Sequence, residues 1–433
     1  MLGTSTTGAP KPPAVTDGAE QHLRNGKDRG WMFVRLAVAA GACLIATVVP
    51  AVAQIEVPRE DARILFGPLS LYPSVRVIDL GIDENVFNES TSGKDDFTAT
   101  ISSKVVSALR LGVNQLLFSA GGDYVWFDDY ASERSANANY AARFNFSASR
   151  FKPFLGWEYL TTRVRVNQEI DERARRIEQL VTTGADFDLT QRTALTFSAK
   201  WAETTFADNE AFRGTELDVA LNDRARGFSA GAKYAVTPLT TVSVTGNFVD
   251  DVFPDATFRN SKSYSITPVV EFAPEATIRG RFAAGYQVFV PEDPDLARNR
   301  GLIMEGALNW IVMGVTTFDL VAARNVNYSY DASQPYYLQT GARLTVTQRV
   351  FGPIALQGSA DHQQLAYRWR RGADPLSVDR VDTADIFSAG VLVRMGRGFN
   401  VLVGAEKTRR NSPEDLTFNY NRTRLLTNVV IGQ

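Results

Sequence analysis

The chain has 433 residues, a formal charge of −2 and two histidines. So small a net charge gives no argument for a strongly acidic or basic partner, and there is no basic cluster on which nucleic acid would dock. Beyond the first seventy or so residues no run approaches the roughly 20 consecutive apolar residues of a spanning helix, which excludes a helical membrane protein. No linker or shift of composition divides the chain into domains.

At the N-terminus Arg29 and Arg35 precede the apolar run Leu36 to Val49, which closes on Pro50, Ala51, Val52 and Ala53. This is a secretory signal over residues 1–53, with cleavage expected between Ala53 and Gln54. Its charged lead is long, and Met32 would open a more ordinary signal, so the residues before it read as a mis-assigned start. Cys43, the only cysteine, lies inside the apolar run. Small residues precede it, but no large aliphatic residue stands three positions earlier, and apolar sequence continues past it, which disfavours a lipid anchor. The mature chain then has no thiol and no disulfide. Residues 54–73 read as an extended periplasmic leader, because Pro68 and Pro73 oppose both helix and central strand.

From Ser74 onward the pattern has a period of two. Val242, Val244, Gly246 and Phe248 alternate with Thr241, Ser243, Thr245 and Asn247, and Leu338 to Thr347 repeats the scheme. Strands with one face for lipid and one for water carry this signal. About eighteen such strands are expected over residues 74–433, an all-β fold: a transmembrane antiparallel β-barrel. Tight connections are expected at Gly112 to Asn114, Phe151 to Pro153, Leu189 to Arg192, Thr237 to Leu239, Pro274 to Ala276, Met313 to Gly314, Phe351 to Pro353 and Gly396 to Gly398. Longer polar connections alternate with them, among them Asp83 to Asp96, Asn167 to Arg175, Ala207 to Gly214, Pro291 to Arg300, Arg370 to Val381 and Arg409 to Asp415. Short periplasmic turns and longer extracellular loops are the rule of outer-membrane barrels, and they put both ends of the barrel in the periplasm. Two charged segments, Glu169 to Leu180 and Glu216 to Arg226, break the alternation. Solvated loops are the expectation for both, although Leu217 and Leu221 have helical spacing.

Aromatic residues such as Tyr124, Trp126, Trp157, Tyr159, Trp201, Trp310, Tyr328, Tyr337, Tyr367 and Trp369 cluster near strand ends, as headgroup anchors do. A sugar-stacking track is the competing reading. Strand parity puts Arg143, Arg163, Arg165, Lys200, Arg279, Arg281, Arg343 and Arg394 on the polar face, with Glu271, Glu305, Asp319 and Asp361. These are the candidate lumen-lining residues, because charge on the lipid face is costly. Facing charges of opposite sign tend to pair, so internal pairing competes with solute selection. The one mature histidine, His362, shares the parity of Ile354, Leu356, Gly358 and Ala360, which is the lipid face. No second histidine is available for a metal site and no triad is visible, so neither catalysis nor a cofactor is expected.

The runs Phe66-Gly67-Pro68-Leu69-Ser70-Leu71-Tyr72-Pro73-Ser74-Val75, Asp83-Glu84-Asn85-Val86-Phe87-Asn88 and Asp96-Phe97-Thr98 resemble the opening of the outer-membrane family known as beta-barrel porin type 2. Tyr124-Val125-Trp126-Phe127, Glu169-Ile170-Asp171, Thr237-Pro238-Leu239-Thr240, Tyr328-Ser329-Tyr330 and Gln334-Pro335-Tyr336-Tyr337 extend the resemblance over the mature chain. It implies a barrel of about this strand number in the outer membrane of a diderm bacterium, with no catalytic residues to carry over. Several members are associated with export of exopolysaccharide or capsule. Such barrels usually end on an aromatic residue, whereas this chain ends Val429, Val430, Ile431, Gly432, Gln433, so either Ile431 substitutes or the terminus is atypical.

The expected function is a passive aqueous conduit for exopolysaccharide, with a general diffusion porin and a barrel-anchored structural or adhesive protein as alternatives. The expected partners are outer-membrane lipid, the barrel insertion machinery, polysaccharide and periplasmic export components. A TonB-dependent receptor fits less well, as no plug domain is visible ahead of the barrel.

Overall fold

In lipid every backbone N–H and C=O must find a partner within the chain, so a strand-forming sequence has to close its sheet. The computed structural model, which describes residues 62–372, 380–396 and 398–432, does so with eighteen strands. The signal, Cys43, the cleavage point between Ala53 and Gln54 and the first part of the leader lie outside the described residues.

The first half of the wall is β1 (Leu69–Asp83), β2 (Asp96–Leu111), β3 (Asn114–Phe127), β4 (Ser135–Asn145), β5 (Phe151–Arg165), β6 (Arg173–Asp188), β7 (Thr193–Phe206), β8 (Asp223–Thr237) and β9 (Thr240–Val252). The second is β10 (Ser261–Phe272), β11 (Ile278–Pro291), β12 (Asn299–Val312), β13 (Thr316–Tyr328), β14 (Tyr336–Phe351), β15 (Ile354–Arg368), β16 (Val381–Met395), β17 (Phe399–Asn411) and β18 (Tyr420–Ile431). Each strand pairs antiparallel with its neighbours in the chain, and β18 returns to β1, with Val75 opposite Ile431 and Asp83 opposite Arg424. The seam carries a bulge between Val77 and Leu80, where Asp79 takes a φ of 52° and its amide donates to the Asn428 side chain at 2.8 Å.

Short connections follow every even strand and long ones every odd strand, so the two ends of the barrel sheet lie on the periplasmic side. Four segments depart from the sequence reading. Leu69 to Pro73 belong to β1 and not to a leader; they pair with β2 from Leu69 opposite Leu109 to Pro73 opposite Val105. Proline is tolerated there because the Leu71 carbonyl accepts from the Arg63 amide, so Pro73, two residues on, also turns its nitrogen to that side. It falls between the end of the Ile64–Phe66 pairing at Leu71 and the start of β18 pairing at Val75, where no ladder bond is lost. Phe151 to Pro153 open β5, the turn lying at residues 146–150 with Ser149 at a φ of 53°. Arg173 to Leu180 continue β6 above the membrane, and Leu217–Leu221 form a short helix, α1, with Leu217, Ala220 and Leu221 buried.

Outside the wall, Leu155, Phe197, Phe228, Val244, Ile266, Tyr286, Leu302, Phe387 and Val403 are all exposed and share the outward parity of their strands. They make the lipid belt. Tyr124, Trp126, Trp157 and Trp201 sit on its external border and Phe151, Phe187 and Trp310 on its periplasmic border, as aromatic girdles do. An arginine placed inside the belt has no water to reach: Ile266→Arg is expected to destabilise the folded barrel by about 2–4 kcal/mol. Asn247→Arg, at similar height on the inner face, is expected to stay within about 0.5 kcal/mol of the parent. Denaturant unfolding of the purified protein in lipid vesicles checks both.

Candidate functional site

Alternation in eighteen strands leaves an inner face that is mostly polar, with an apolar cluster of Tyr72, Ala108 and Leu117 toward its periplasmic end. Its β7–β10 sector is almost uncharged at mid-height: Ser198 and Ser229 share a hydrogen bond of 2.5 Å, and Asn247 donates to Ser265 at 3.2 Å. Thr245 and Thr267 lie opposite one another beside them. Elsewhere the wall is charged, and several of its charges are paired. Arg343 holds Asp361 with two bonds of 2.9 and 2.6 Å, Lys233 holds Asp186 at 2.7 Å, and Arg424 holds Glu406 at 2.5 Å. Arg281 approaches Glu305 to 4.0 Å and stands opposite Glu271 in the ladder, while Asn309 donates to Asp319 at 2.7 Å. Arg143 bonds Asn145 at 2.8 Å and stacks on Phe154, 4.0 Å from its centroid. Eighteen strands are wide enough to leave an aqueous channel.

At the external end the described residues of the long connections interlock. The β5–β6 connection reaches across the mouth to the β13–β14 connection, where the Ser329 hydroxyl donates to Glu169 Oε1 at 2.5 Å. β5 and β13 stand eight strands apart in a ring of eighteen, so this contact bridges nearly opposite walls. Around it Ile170, Phe206, Phe212, Leu217, Leu221, Tyr330 and Phe418 form a buried apolar core drawn from four connections and their strand ends. Arg410 crosses beneath, donating to the Glu169 carbonyl at 3.0 Å, to Asp171 at 3.2 Å and to Asp382 at 2.9 Å. Asp382 is also gripped by Arg380 at 2.8 and 2.5 Å and by Ser412 at 2.6 Å. Phe418 lies among three guanidinium groups, those of Arg213, Arg380 and Arg410, at 3.5, 4.2 and 4.8 Å from its ring centre.

The remaining connections are tied in by the same means. Arg259 donates to the carbonyls of Ser329 and Tyr330 at 3.0 and 2.8 Å, the Tyr336 hydroxyl to the Ala297 carbonyl at 2.5 Å, and Asn88 to the Asp171 carbonyl at 3.3 Å. Burial lowers Arg259 to about 10, far enough above neutrality that it stays charged. The result is a cap with its own core, set across the external mouth of a polar tube.

The sequence profile of the Putative beta-barrel porin 2 family matches residues 60–433. The chain belongs to this family. As a porin-family β-barrel it resides in the outer membrane of a diderm bacterium and forms a passive channel. No curated protein matches the sequence. Among solved structures, a BenF-like porin from Pseudomonas fluorescens Pf-5 is similar at 11% identity and a TM-score of 0.47, covering 85% of this chain and 100% of that one. OpdK from Pseudomonas aeruginosa, solved with vanillate, is similar at 12% identity and a TM-score of 0.44, covering 83% and 98%. The FrpB iron transporter from Neisseria meningitidis has 11% identity and a TM-score of 0.39; the match covers 79% of this chain and spans 62% of the transporter's length.

In this porin Arg143, Lys200, Arg279, Arg281, Glu271, Glu305, Asp319, Arg343, Asp361 and Arg394 occupy inward positions of their strands. Arg163 and Arg165 do not: on β5 they share the parity of the exposed Leu155 and Trp157. Both lie at the external end of the strand, where Arg163 binds Ser132 and Glu133 at 2.5 and 3.2 Å, and Arg165 binds the carbonyls of Asp171 and Val86 at 2.7 Å each. They brace the cap and do not line the lumen. His362 is on the outer face, as its parity requires, with Nδ1 2.7 Å from Asp385. The aromatics divide in a way parity alone does not give: Tyr328, Tyr330, Tyr337 and Tyr367 are packed into or under the cap, neither anchors nor a free stacking track. Missed inward charges include Arg76, Lys104, Asp123 and Glu158, which the same alternation marks.

Glu169 is fully buried, and its Oε2 has no hydrogen-bond partner among the described residues. Burial pushes its carboxyl up to about 7, with Asp331 adding to the rise, against the Ser329 hydrogen bond and the Arg380 and Arg410 charges. Below the ordinary carboxylate pKa near 4.5 the group is protonated whether the cap is closed or open. Between there and about 7 only the closed form keeps the proton, so the closed cap loses stability as pH rises and the loss is complete above about 7. Planar-bilayer conductance is therefore expected to rise from pH 5 to pH 8, and Glu169→Gln to flatten that rise.

Proposed function

We propose that this porin is an export conduit for a secreted, hydroxyl-rich polymer, an exopolysaccharide, kept closed at the cell surface by its loop cap. The observation that carries the reading is the Glu169 to Ser329 bridge, which ties opposite walls together above the channel. A general diffusion porin gains nothing from a mouth held by a buried apolar core, whereas a conduit emptied from the periplasmic side needs an external closure that yields to cargo. The nearly neutral β7–β10 sector supports the same reading, because hydroxyl and amide groups exchange hydrogen bonds with sugar hydroxyls without holding them strongly. Ion pairs such as Lys233 with Asp186, Arg343 with Asp361 and Arg424 with Glu406 reduce the charge available to grip a polymer. On this reading the driving force comes from periplasmic partners.

General diffusion of small solutes is the second reading, favoured by membership of a porin family. Deletion of the protein, with a complemented strain beside it, separates the two. Loss of surface and supernatant polysaccharide, restored by complementation, is expected for the conduit. Unchanged polymer with slower uptake of small hydrophilic solutes would transfer the assignment to the diffusion porin.

A further inference from the structure

We propose that the outer face of β13 to β18, at the external border of the lipid belt, binds the phosphorylated headgroup of an outer-leaflet glycolipid. The inference stands on the distribution of outward charge and does not depend on the polysaccharide reading. Lys407 and Arg409 share the outward parity of the exposed Val403 on β17, and both are exposed. Lys407 is eight residues above the periplasmic start of β17 and Arg409 ten, about 20 and 25 Å along the membrane normal for a tilted strand, where an apolar band about 25 Å tall ends. Their height is that of the headgroups, and a lysine stem can lie along the belt while its ammonium reaches them.

Two sectors of the barrel differ at this level. On β7 to β10 the outward charges are matched within the protein: Arg224 binds Glu203 at 2.6 Å, Lys262 binds Glu292 at 2.6 Å, and Arg226 stands opposite Asp250. From β12 round to β18 the cations at outward parity are Arg300, Arg324, Arg368, Lys407 and Arg409, and the outward carboxylate is Asp385; Arg368 is turned to the carbonyls of Ala366 and Tyr367. Asp385 is held by His362 at 2.7 Å and stands opposite Arg409 in the ladder, whereas Lys407 faces Phe387 and Thr423 and has no carboxylate opposite it. Neither Lys407 nor Arg409 has a carboxylate within ion-pair distance among the described residues. Arg324 is fixed across the face by the Thr340 hydroxyl at 2.5 Å and the Leu302 carbonyl at 3.2 Å.

Phe387, exposed and directly opposite Lys407, offers an apolar ring to the first acyl carbons, while Thr340, Gln364, Thr383 and Thr423 supply outward hydrogen-bonding groups between the cations. Cations, a ring and neutral polar groups in one row match a phosphorylated sugar carrying acyl chains. Guanidinium and ammonium groups bind phosphate with charge-assisted hydrogen bonds, and the outer leaflet of a diderm outer membrane presents phosphorylated glycolipid.

The test uses the full purified protein in neutral phosphatidylcholine nanodiscs, with bisphosphorylated lipid A, dephosphorylated lipid A and phosphatidylglycerol as probes and native mass spectrometry as the readout. Heat-modifiable mobility on gels verifies that each variant is folded. The K407Q/R409Q double variant is expected to bind bisphosphorylated lipid A about tenfold more weakly, equivalent to about 1.4 kcal/mol, while Arg224→Gln binds it as the parent does. The parent is expected to prefer bisphosphorylated over dephosphorylated lipid A by a similar factor. Equal binding of the two lipid A forms, or undiminished binding by the double variant, overturns the site, and equal binding of phosphatidylglycerol overturns its assignment to a glycolipid. The comparison of lipids on the parent protein needs no variant to fold.

Discussion

The pairing of β18 with β1 is the contact on which the rest depends. A sheet of seventeen ladders with two open edges would leave two rows of amides and carbonyls in hydrocarbon, each group costing several kcal/mol. Closure removes both rows at once, and the seam holds in spite of the bulge at Asp79. The bulge resets the alternation in β1, so that Ile82 faces lipid and Asp83 faces inward, where Arg422 binds it. A local irregularity at the seam thereby places the acid that helps to hold the external rim.

Closure also fixes what charge can do. Inward side chains converge on a common tube, so Arg343 and Asp361, or Arg424 and Glu406, neutralise each other across one ladder. With Asp361 almost entirely buried, truncating Arg343 would leave a carboxylate without its partner, the expensive way to break an ion pair. At the mouth the same logic works between distant strands. Arg410 and Asp382 are held in neighbouring strands, yet Arg410 also binds Glu169 and Asp171 from a connection six strands away, so the cap is joined to the barrel by charge-assisted hydrogen bonds as well as by apolar packing.

Most of the wall was legible in the sequence because its rule is local. A period of two and turn residues at regular spacing name the strands, their order and the side of the membrane on which the chain turns. The inward set followed wherever the strand stays within the membrane, as for Arg281, Arg343 and Asp361. It failed at Arg163 and Arg165, where the strand leaves the belt and burial by loops replaces the choice between lipid and lumen. Proline at residues 68 and 73 was read against a central strand, a sound rule for a fully paired strand; only the gap between two pairing partners, a tertiary fact, exempts Pro73. The cap was illegible for the same reason. Ile170, Phe212, Tyr330 and Phe418 come from four separate, largely polar connections, and no window of sequence shows that they meet.

The cap and the wall differ in kind of stability. Eighteen mutually dependent ladders unfold together or not at all, whereas the cap rests on one modest apolar cluster and a set of ion pairs, and regions with fewer buried contacts open first. Glu169 sharpens the contrast: its unpartnered Oε2 is a buried polar group whose burial cost falls on the closed cap alone. An all-apolar plug would be tighter, but opening it would cost as much as building it. A cap carrying one poorly satisfied carboxyl among arginines is stable enough to close the mouth and weak enough to open while the barrel stays intact.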